Sequence, residues 1–230
     1  MTDKAGKLEE IIKRKVKVHE PLDGHTVLKV PAFAELYFET DAQDILIKAV
    51  NAARNLGLPV YLLGSGSSIE TGQEIKGLVI KNLCRRFDKV SVKGTIKKSE
   101  VGVENMQVYA QAGVLMNQLV RFTIEEGLAG LEYQLGLPGT VGGAIFTNAK
   151  YKPKYLPVNK VLQSVTLLSE TGDVQTYNGE VPYFVYTDDE WHESKDVILS
   201  VVFKLTPGDK KTLWERAEEA VRWRNENKEK

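Results

Sequence analysis

Between residues 134 and 149 the chain reads Q-L-G-L-P-G-T-V-G-G-A-I-F-T-N-A, four glycines and a proline set into an apolar run beside hydroxyl and amide side chains. Such a stretch belongs where backbone approaches another object closely. Gly139, Gly142 and Gly143 carry no Cβ to hold a neighbour away, and Pro138 fixes its own φ while giving up one amide donor. Two readings are open. One is a phosphate-bearing ligand, met by exposed N–H groups of the turn and by a helix N-terminus leading into residues 144–149. The other is a tight buried crossing of two backbones.

The chain has 230 residues, enough for one large domain or two small lobes when domains run to about 100–200 residues. With 31 basic residues against 31 acidic ones, its formal net charge is zero, so nothing global steers it to nucleic acid or to a membrane. The single cysteine, Cys84, excludes an intrachain disulfide framework and fits a reducing compartment. His19, His25 and His192 are scattered without metal-ligand spacing, so no metal is expected. The charged start at residues 1–10 reads as an exposed leader, and no apolar signal region or membrane-length run follows it. Cytoplasmic location is the expectation.

Along the chain, Leu8, Ile11 and Ile12 among Lys4, Lys7, Lys13, Arg14, Lys15 and Lys17 predict a short amphipathic helix with solvated lysines. Strands are expected at 27–30 and 34–39, and Thr40 or Asp41 is placed to cap a helix. That helix carries Ile45, Leu46, Ala49, Val50, Ala53 and Leu56 on one face and stops at Gly57. A short strand at 59–63 runs straight into Gly64-Ser65-Gly66-Ser67-Ser68, and another strand follows at 77–81. The second half differs: 101–103, 108–112, 161–168, 174–177 and 197–205 are strand-like, with a hairpin-length turn at 169–173. A helix with Leu115, Leu119, Phe122 and Ile124 ends at Gly127, and Leu213, Ala217, Ala220 and Val221 mark a final one. The pattern predicts an α+β chain in which a small parallel-type βαβ lobe precedes a larger, mainly antiparallel lobe with helices. The expected boundaries are 1–20 for an N-terminal extension or helix, 21–87 for the first lobe, 88–207 for the second and 208–230 for a C-terminal helix.

The loop at residues 64–68 follows a strand, as a dinucleotide loop does, but Ile69 stands where a third glycine would complete the Rossmann fingerprint, and no P-loop lysine follows. What remains is a hydroxyl-rich turn whose amides and serines can surround a pyrophosphate, or a plain strand–turn. The second glycine stretch comes about 70 residues later, in the other lobe, so a ligand between lobes can touch both.

The blocks Y-L-L-G-S-G-S-S, G-L-V-I, A-G-V and L-E-Y-Q-L-G-L-P-G-T-V-G-G-A-I-F-T-N-A, in this order and spacing, resemble the UDP-N-acetylenolpyruvoylglucosamine reductase family. That family lies within the flavoproteins that share the vanillyl-alcohol-oxidase (PCMH) type of FAD-binding domain, and the resemblance runs from about Thr26 to Arg224. It implies a two-lobed PCMH-type FAD-binding fold with FAD between the lobes. Carried over by position, Gly64, Ser65, Gly66, Ser67 and Ser68 form the first pyrophosphate loop, with Ser65 where the family usually has glycine and Ser68 where it usually has asparagine. Gly113, Gly139, Thr140, Gly142, Gly143, Ala144, Asn148 and Ile198 match further positions at or near the cofactor, although Gly113 and Ile198 also read as packing residues.

The resemblance implies NADPH, or NADH, as electron donor to the flavin. It does not carry the family's reaction with it. In the family an arginine in an F-G-Y-R-x-S motif, a serine proton donor and a glutamate meet the charge that develops on an enolpyruvyl ether. Here Thr187 occupies the arginine position and Asp189 that of the motif's following serine, while the family's proton-donor serine and glutamate lie in a further C-terminal domain and are expected to be missing. The reading is therefore a flavin-dependent oxidoreductase of unassigned substrate and unassigned catalytic residues. A genuine reductase completed elsewhere, and a non-catalytic binding module, are the alternatives. The acids Asp188, Asp189, Glu190 and Glu193 read as a solvated loop; Tyr183, Tyr186 and Trp191 read as packing; the basic run from Lys81 to Lys98 reads as a solvated hairpin.

Overall fold

The computed structural model describes residues 2–27, 29, 31–67, 74–90, 106–179 and 195–227. The first lobe comprises helix α1 (Thr2–Ile12), strands β1 (Lys17–Pro21) and β2 (Phe33–Thr40), helix α2 (Gln43–Asn55), and strands β3 (Val60–Leu63) and β4 (Glu74–Asn82). Its sheet order is β1-β2-β4-β3; β4 lies parallel to both β2 and β3, and β1 is an antiparallel edge. The β2–α2–β3 run is the expected βαβ unit. β4 is covered on both faces: Leu78 and Ile80 meet the helices, while Val79 joins Leu22, Ala34, Tyr37 and Leu63 on the other side. Its apolar run of Leu78, Val79 and Ile80 is what a central parallel strand needs.

The N-terminal segment is core rather than leader. Leu8 and Ile12, one helical turn apart, are buried with Ala5 against α2, and the lysines of α1 occupy the opposite face. Residues 17–21 form a strand, held by pairing to β2. Of the strand expected at 27–30 only Val27 and Lys29 are described, and Lys29 has φ +49, outside the extended region. Nor does Thr40 cap α2; its hydroxyl accepts the N–H of Ala42 at 3.1 Å, and the helix begins after Ala42 without a side-chain acceptor.

The second lobe comprises β5 (Phe87–Val90), β6 (Met106–Gln111), α3 (Met116–Glu125), the short β7 (Leu128–Ala129), α4 (Val141–Phe146), the two-residue strands β8 (Lys150–Tyr151) and β9 (Leu156–Pro157), then β10 (Leu162–Leu168), β11 (Val174–Asn178), β12 (Val197–Pro207) and α5 (Lys210–Glu226). The main sheet, β11-β10-β12-β6-β5, is antiparallel at every pairing. β5 pairs antiparallel with β6; the strand expected at 101–103 and residues 91–98 of the basic run read as a hairpin lie outside the described residues. β12 is buried on both faces. Ile198, Val201, Phe203 and Leu205 pack with α3, α4 and α5, while Val197 and Leu199 join α1 and α2 of the first lobe. The lobes thus share a core. Arg54 of α2 adds a polar tie, its Nη1 donating to Ser169 O at 2.7 Å and its Nη2 to Lys195 O.

Helix α5 folds back over the segment that leads into the second glycine stretch. Glu132, almost fully buried, accepts the N–H of Gly130 at 2.6 Å and pairs with Arg216 at 3.1 Å. Arg224 Nη1 donates to the carbonyls of Tyr133 and Leu135 at 2.9 and 2.8 Å.

Candidate functional site

The two glycine loops meet. A Cβ on Gly64 would stand 2.7 Å from Thr140 Oγ1, and the open side of Gly139, at φ +134, faces Ser67 Oγ and Ser65 Oγ at 3.7 and 4.0 Å. Gly64 follows β3 of the first lobe, and Thr140 caps α4 of the second, so the contact joins the lobes at this point. Thr140 holds its place by accepting the Gly143 N–H on its hydroxyl at 3.3 Å.

Around this contact several backbones cross with no room for side chains. Gly113 sits against Asn82 O and Cys84 O, which its Cβ would approach to 2.8 and 2.6 Å. Gly142 sits against Ala112, where its N–H donates to the carbonyl at 2.9 Å. Both glycines therefore have a packing reason of their own. The Met116 N–H donates to Gly139 O at 3.1 Å and Val141 N–H to Val114 O at 2.8 Å, pinning the loop to the start of α3.

These bonds correct one expectation. The amides at the N-terminus of α4 do not converge on a ligand, and the helix starts at Val141, ahead of the expected residue 144. Val141, Gly142, Gly143 and Ala144 all donate within the chain. The amides of Ser65, Gly66, Ser67, Gly139 and Thr140 donate to no partner among the described residues. Beside them Ser65 Oγ is buried without a hydrogen-bond partner among the described residues, as is Thr26 Oγ1. Buried hydroxyls left unpaired cost on the order of 1–3 kcal/mol, so a polar guest is favoured here.

Thr26 is the residue that sequence reasoning missed. It is 8% exposed, and its methyl carbon lies 2.5 Å from where a Gly66 Cβ would stand. Val27 N–H donates to Ser65 O at 2.9 Å. Only the positive φ that Gly66 requires (+71) hinted that something would close on it, and nothing in the sequence said which segment. Lys81 Nζ donates to His25 O at 2.7 Å; burial pulls its ammonium below the usual lysine range, against the opposing charge of Glu39.

The remaining expected positions divide. Asn148 sits at φ +43 just beyond α4, with Oδ1 buried and without a partner among the described residues. Ala144 and Ile198 pack in the second-lobe core. Ser68 lies outside the described residues, as do Tyr183, Tyr186, Thr187, Asp188, Asp189, Glu190, Trp191 and Glu193.

A family model described as an FAD binding domain matches residues 34–178, which include both glycine loops. In class the protein is an FAD-binding domain, with FAD as its cofactor. It is 30% identical over 221 residues to the UDP-N-acetylenolpyruvoylglucosamine reductase of Carboxydothermus hydrogenoformans, covering 94% of this chain and 68% of the relative. To the enzyme of the same name from Exiguobacterium sibiricum it is 31% identical over 207 residues, covering 89% of this chain and 63% of the relative. The crystal structure of UDP-N-acetylenolpyruvylglucosamine reductase from Thermus caldophilus shares the fold at TM-score 0.64 and 22% identity, over 92% of this chain and 69% of that one. A solvent-stable cholesterol oxidase shares it at TM-score 0.55 and 14% identity, over 84% of this chain and 38% of that one. The chain belongs to the UDP-N-acetylenolpyruvoylglucosamine reductase family, and spans 63% of the length of the Exiguobacterium relative and 68% of the Carboxydothermus one. Among the described residues no helix is long and apolar enough to cross a membrane.

Proposed function

We propose that the chain seats the pyrophosphate of FAD between residues 64–68 and 139–144 and serves as the cofactor-holding part of a flavin-dependent oxidoreductase. The observation that carries this is the contact of Gly64 with Thr140 and of Gly139 with Ser65 and Ser67, which gathers from both lobes donors that are unpaired among the described residues. A dianionic pyrophosphate is what a cluster of neutral N–H and O–H donors accommodates; the missing Cβ at Gly139 lets it approach the backbone, while that at Gly66 makes room for Thr26. Bound there, FAD supplies hydride acceptance and transfer. The amides of Ser65, Gly66, Ser67 and Gly139 bind and orient the phosphates, the hydroxyls of Ser65 and Ser67 add donors, and Asn148 offers an amide beyond α4. Thr140 keeps the two loops in register. Ser65, which replaces a glycine usual in the family, adds a hydroxyl donor to this loop.

Purified protein should be yellow, absorb near ~450 nm and release FAD on denaturation. A colourless protein that takes up no added FAD overturns the seat. NADPH or NADH is the electron donor on this reading, and anaerobic titration with each, followed by flavin bleaching, identifies which. The reducing compartment that suits buried Cys84 is the cytoplasm.

The second reading is the reductase reaction itself, favoured by the identity to relatives bearing that name. NADPH oxidation that depends on an enolpyruvyl sugar nucleotide supports it. Thr187 in place of the family's arginine opposes it, because a neutral hydroxyl does not stabilise enolate charge as a guanidinium does.

A further inference from the structure

We propose that Thr26, which belongs to neither glycine loop, is a further ligand of the cofactor, its hydroxyl donating to a phosphate oxygen of FAD while its methyl group serves only the fold. The proposal rests on the FAD seat described above.

The two branches of this side chain do different work. Thr26 Cγ2 and Cβ lie 2.5 and 2.6 Å from where a Gly66 Cβ would stand, so the methyl occupies the hollow which that glycine leaves. The backbone beside it is held as well. Thr26 is extended, at φ −121 and ψ 146, its carbonyl accepts the Lys29 N–H at 3.3 Å, and the next residue donates its N–H to Ser65 O at 2.9 Å. A β-branched side chain has little freedom about χ1, so a lodged methyl and a fixed backbone also fix the direction of the hydroxyl.

That hydroxyl has no use in packing. Thr26 is more than nine-tenths buried, and Oγ1 is closed off from solvent without a hydrogen-bond partner among the described residues. Buried polar atoms are nearly always paired, and a hydroxyl that stays bare costs stability which a methyl in its place does not. Ser65, the residue that Val27 binds, carries a second bare hydroxyl, and the amides of Ser65, Gly66 and Ser67 donate to nothing among the described residues. Amides can only donate and hydroxyls can donate, so one guest rich in acceptors satisfies the whole group. The phosphate oxygens of FAD are such acceptors. Thr26 thereby adds a donor from a third segment of chain to those of the two glycine loops.

The division of labour predicts opposite signs for two measurements. Thr26→Val keeps the shape and the methyl but loses the donor. The cofactor-free variant should unfold in urea at or above the wild-type midpoint, while its dissociation constant for FAD, read by flavin fluorescence on the full chain, should rise about tenfold. Thr26→Ser keeps the donor and loses the methyl, so it should unfold at a lower midpoint and bind FAD close to the wild-type value. Phosphorus-31 spectra of bound FAD add a readout at the proposed acceptor: at least one of the two resonances should move in Thr26→Val.

Wild-type affinity in Thr26→Val overturns the inference and leaves the seat standing, whereas a wild-type chain that takes up no FAD overturns both. A Thr26→Val midpoint well below wild type would mean that the hydroxyl already has a partner in the empty chain, and that too overturns it. Equal loss of FAD affinity in Thr26→Ser would assign the effect to the methyl, and two unmoved phosphorus resonances would place the hydroxyl away from the phosphates; either result sinks the proposal.

Discussion

At the scale of single residues the glycines separate packing from ligand approach. A side chain at Gly66 meets both a left-handed φ of +71 and the Thr26 methyl, so Gly66→Ala should cost about 2–4 kcal/mol in urea unfolding. Gly143 is different. It is helical and exposed, and the nearest neighbour of an added Cβ is Thr140 Oγ1 at an ordinary 3.6 Å. Gly143→Ala should therefore raise stability by about 0.5–1 kcal/mol through helix propensity. If its open face meets FAD, the same variant binds FAD more weakly, and opposite signs in the two measurements assign the glycine to the cofactor rather than to the fold. Cys84 belongs to the fold: burial, with Asp41 and Asp44 adding their charge, pushes its thiol up to about 11. It should ignore disulfide reagents at neutral pH and react stoichiometrically once the chain is unfolded in urea.

At the scale of elements, α5 is held by specific polar contacts. The Arg224 guanidinium serves two carbonyls next to the second glycine stretch, and Arg224→Met should destabilise by about 2 kcal/mol, with faster amide exchange over residues 131–137. At the helix start the Thr212 N–H donates to Asp209 Oδ2 at 2.9 Å, which holds that carboxyl below its ordinary value. For such a group the contribution is present above the unfolded-state pKa and fades as pH falls through the lower folded-state one. Asp209→Ala should accordingly lower the thermal midpoint at neutral pH and make less difference in strong acid, as a pair of melting curves at the two conditions will show.

At the scale of the whole molecule, the shared core of α1, α2, β10 and β12 makes the lobes a single cooperative unit. Arg54→Met, which removes the bonds to Ser169 O and Lys195 O, should shift the unfolding midpoint by the equivalent of about 1–3 kcal/mol without splitting the transition in two. FAD at a hundred times its dissociation constant should stabilise the chain by about 2.7 kcal/mol, seen as a higher melting temperature. A separate melting step for one lobe would contradict the shared core.

How much of this was legible in the sequence follows from the range of the forces involved. Apolar spacing at positions 46, 49, 50 and 53 marked α2, the alternation of strands and turns marked the two lobes, and the glycines marked where backbone must come close. These are local constraints on φ, ψ and the burial of one face, and residue identity determines them. Three outcomes depended instead on partners distant in the chain. The N-terminal helix entered the core because α2 offered Leu8 and Ile12 a surface. The amides of α4 were consumed by Ala112, Val114 and Thr140 instead of being left for an anion. Thr26 became part of the site because Gly66, 40 positions later, left it room. The sequence by itself determined that two glycine loops exist and that a flavin-type domain surrounds them; only the tertiary structure decided that the loops touch, which of their donors stay unpaired and what clasps them, because those are contacts between segments whose spacing in sequence says nothing of their distance in space.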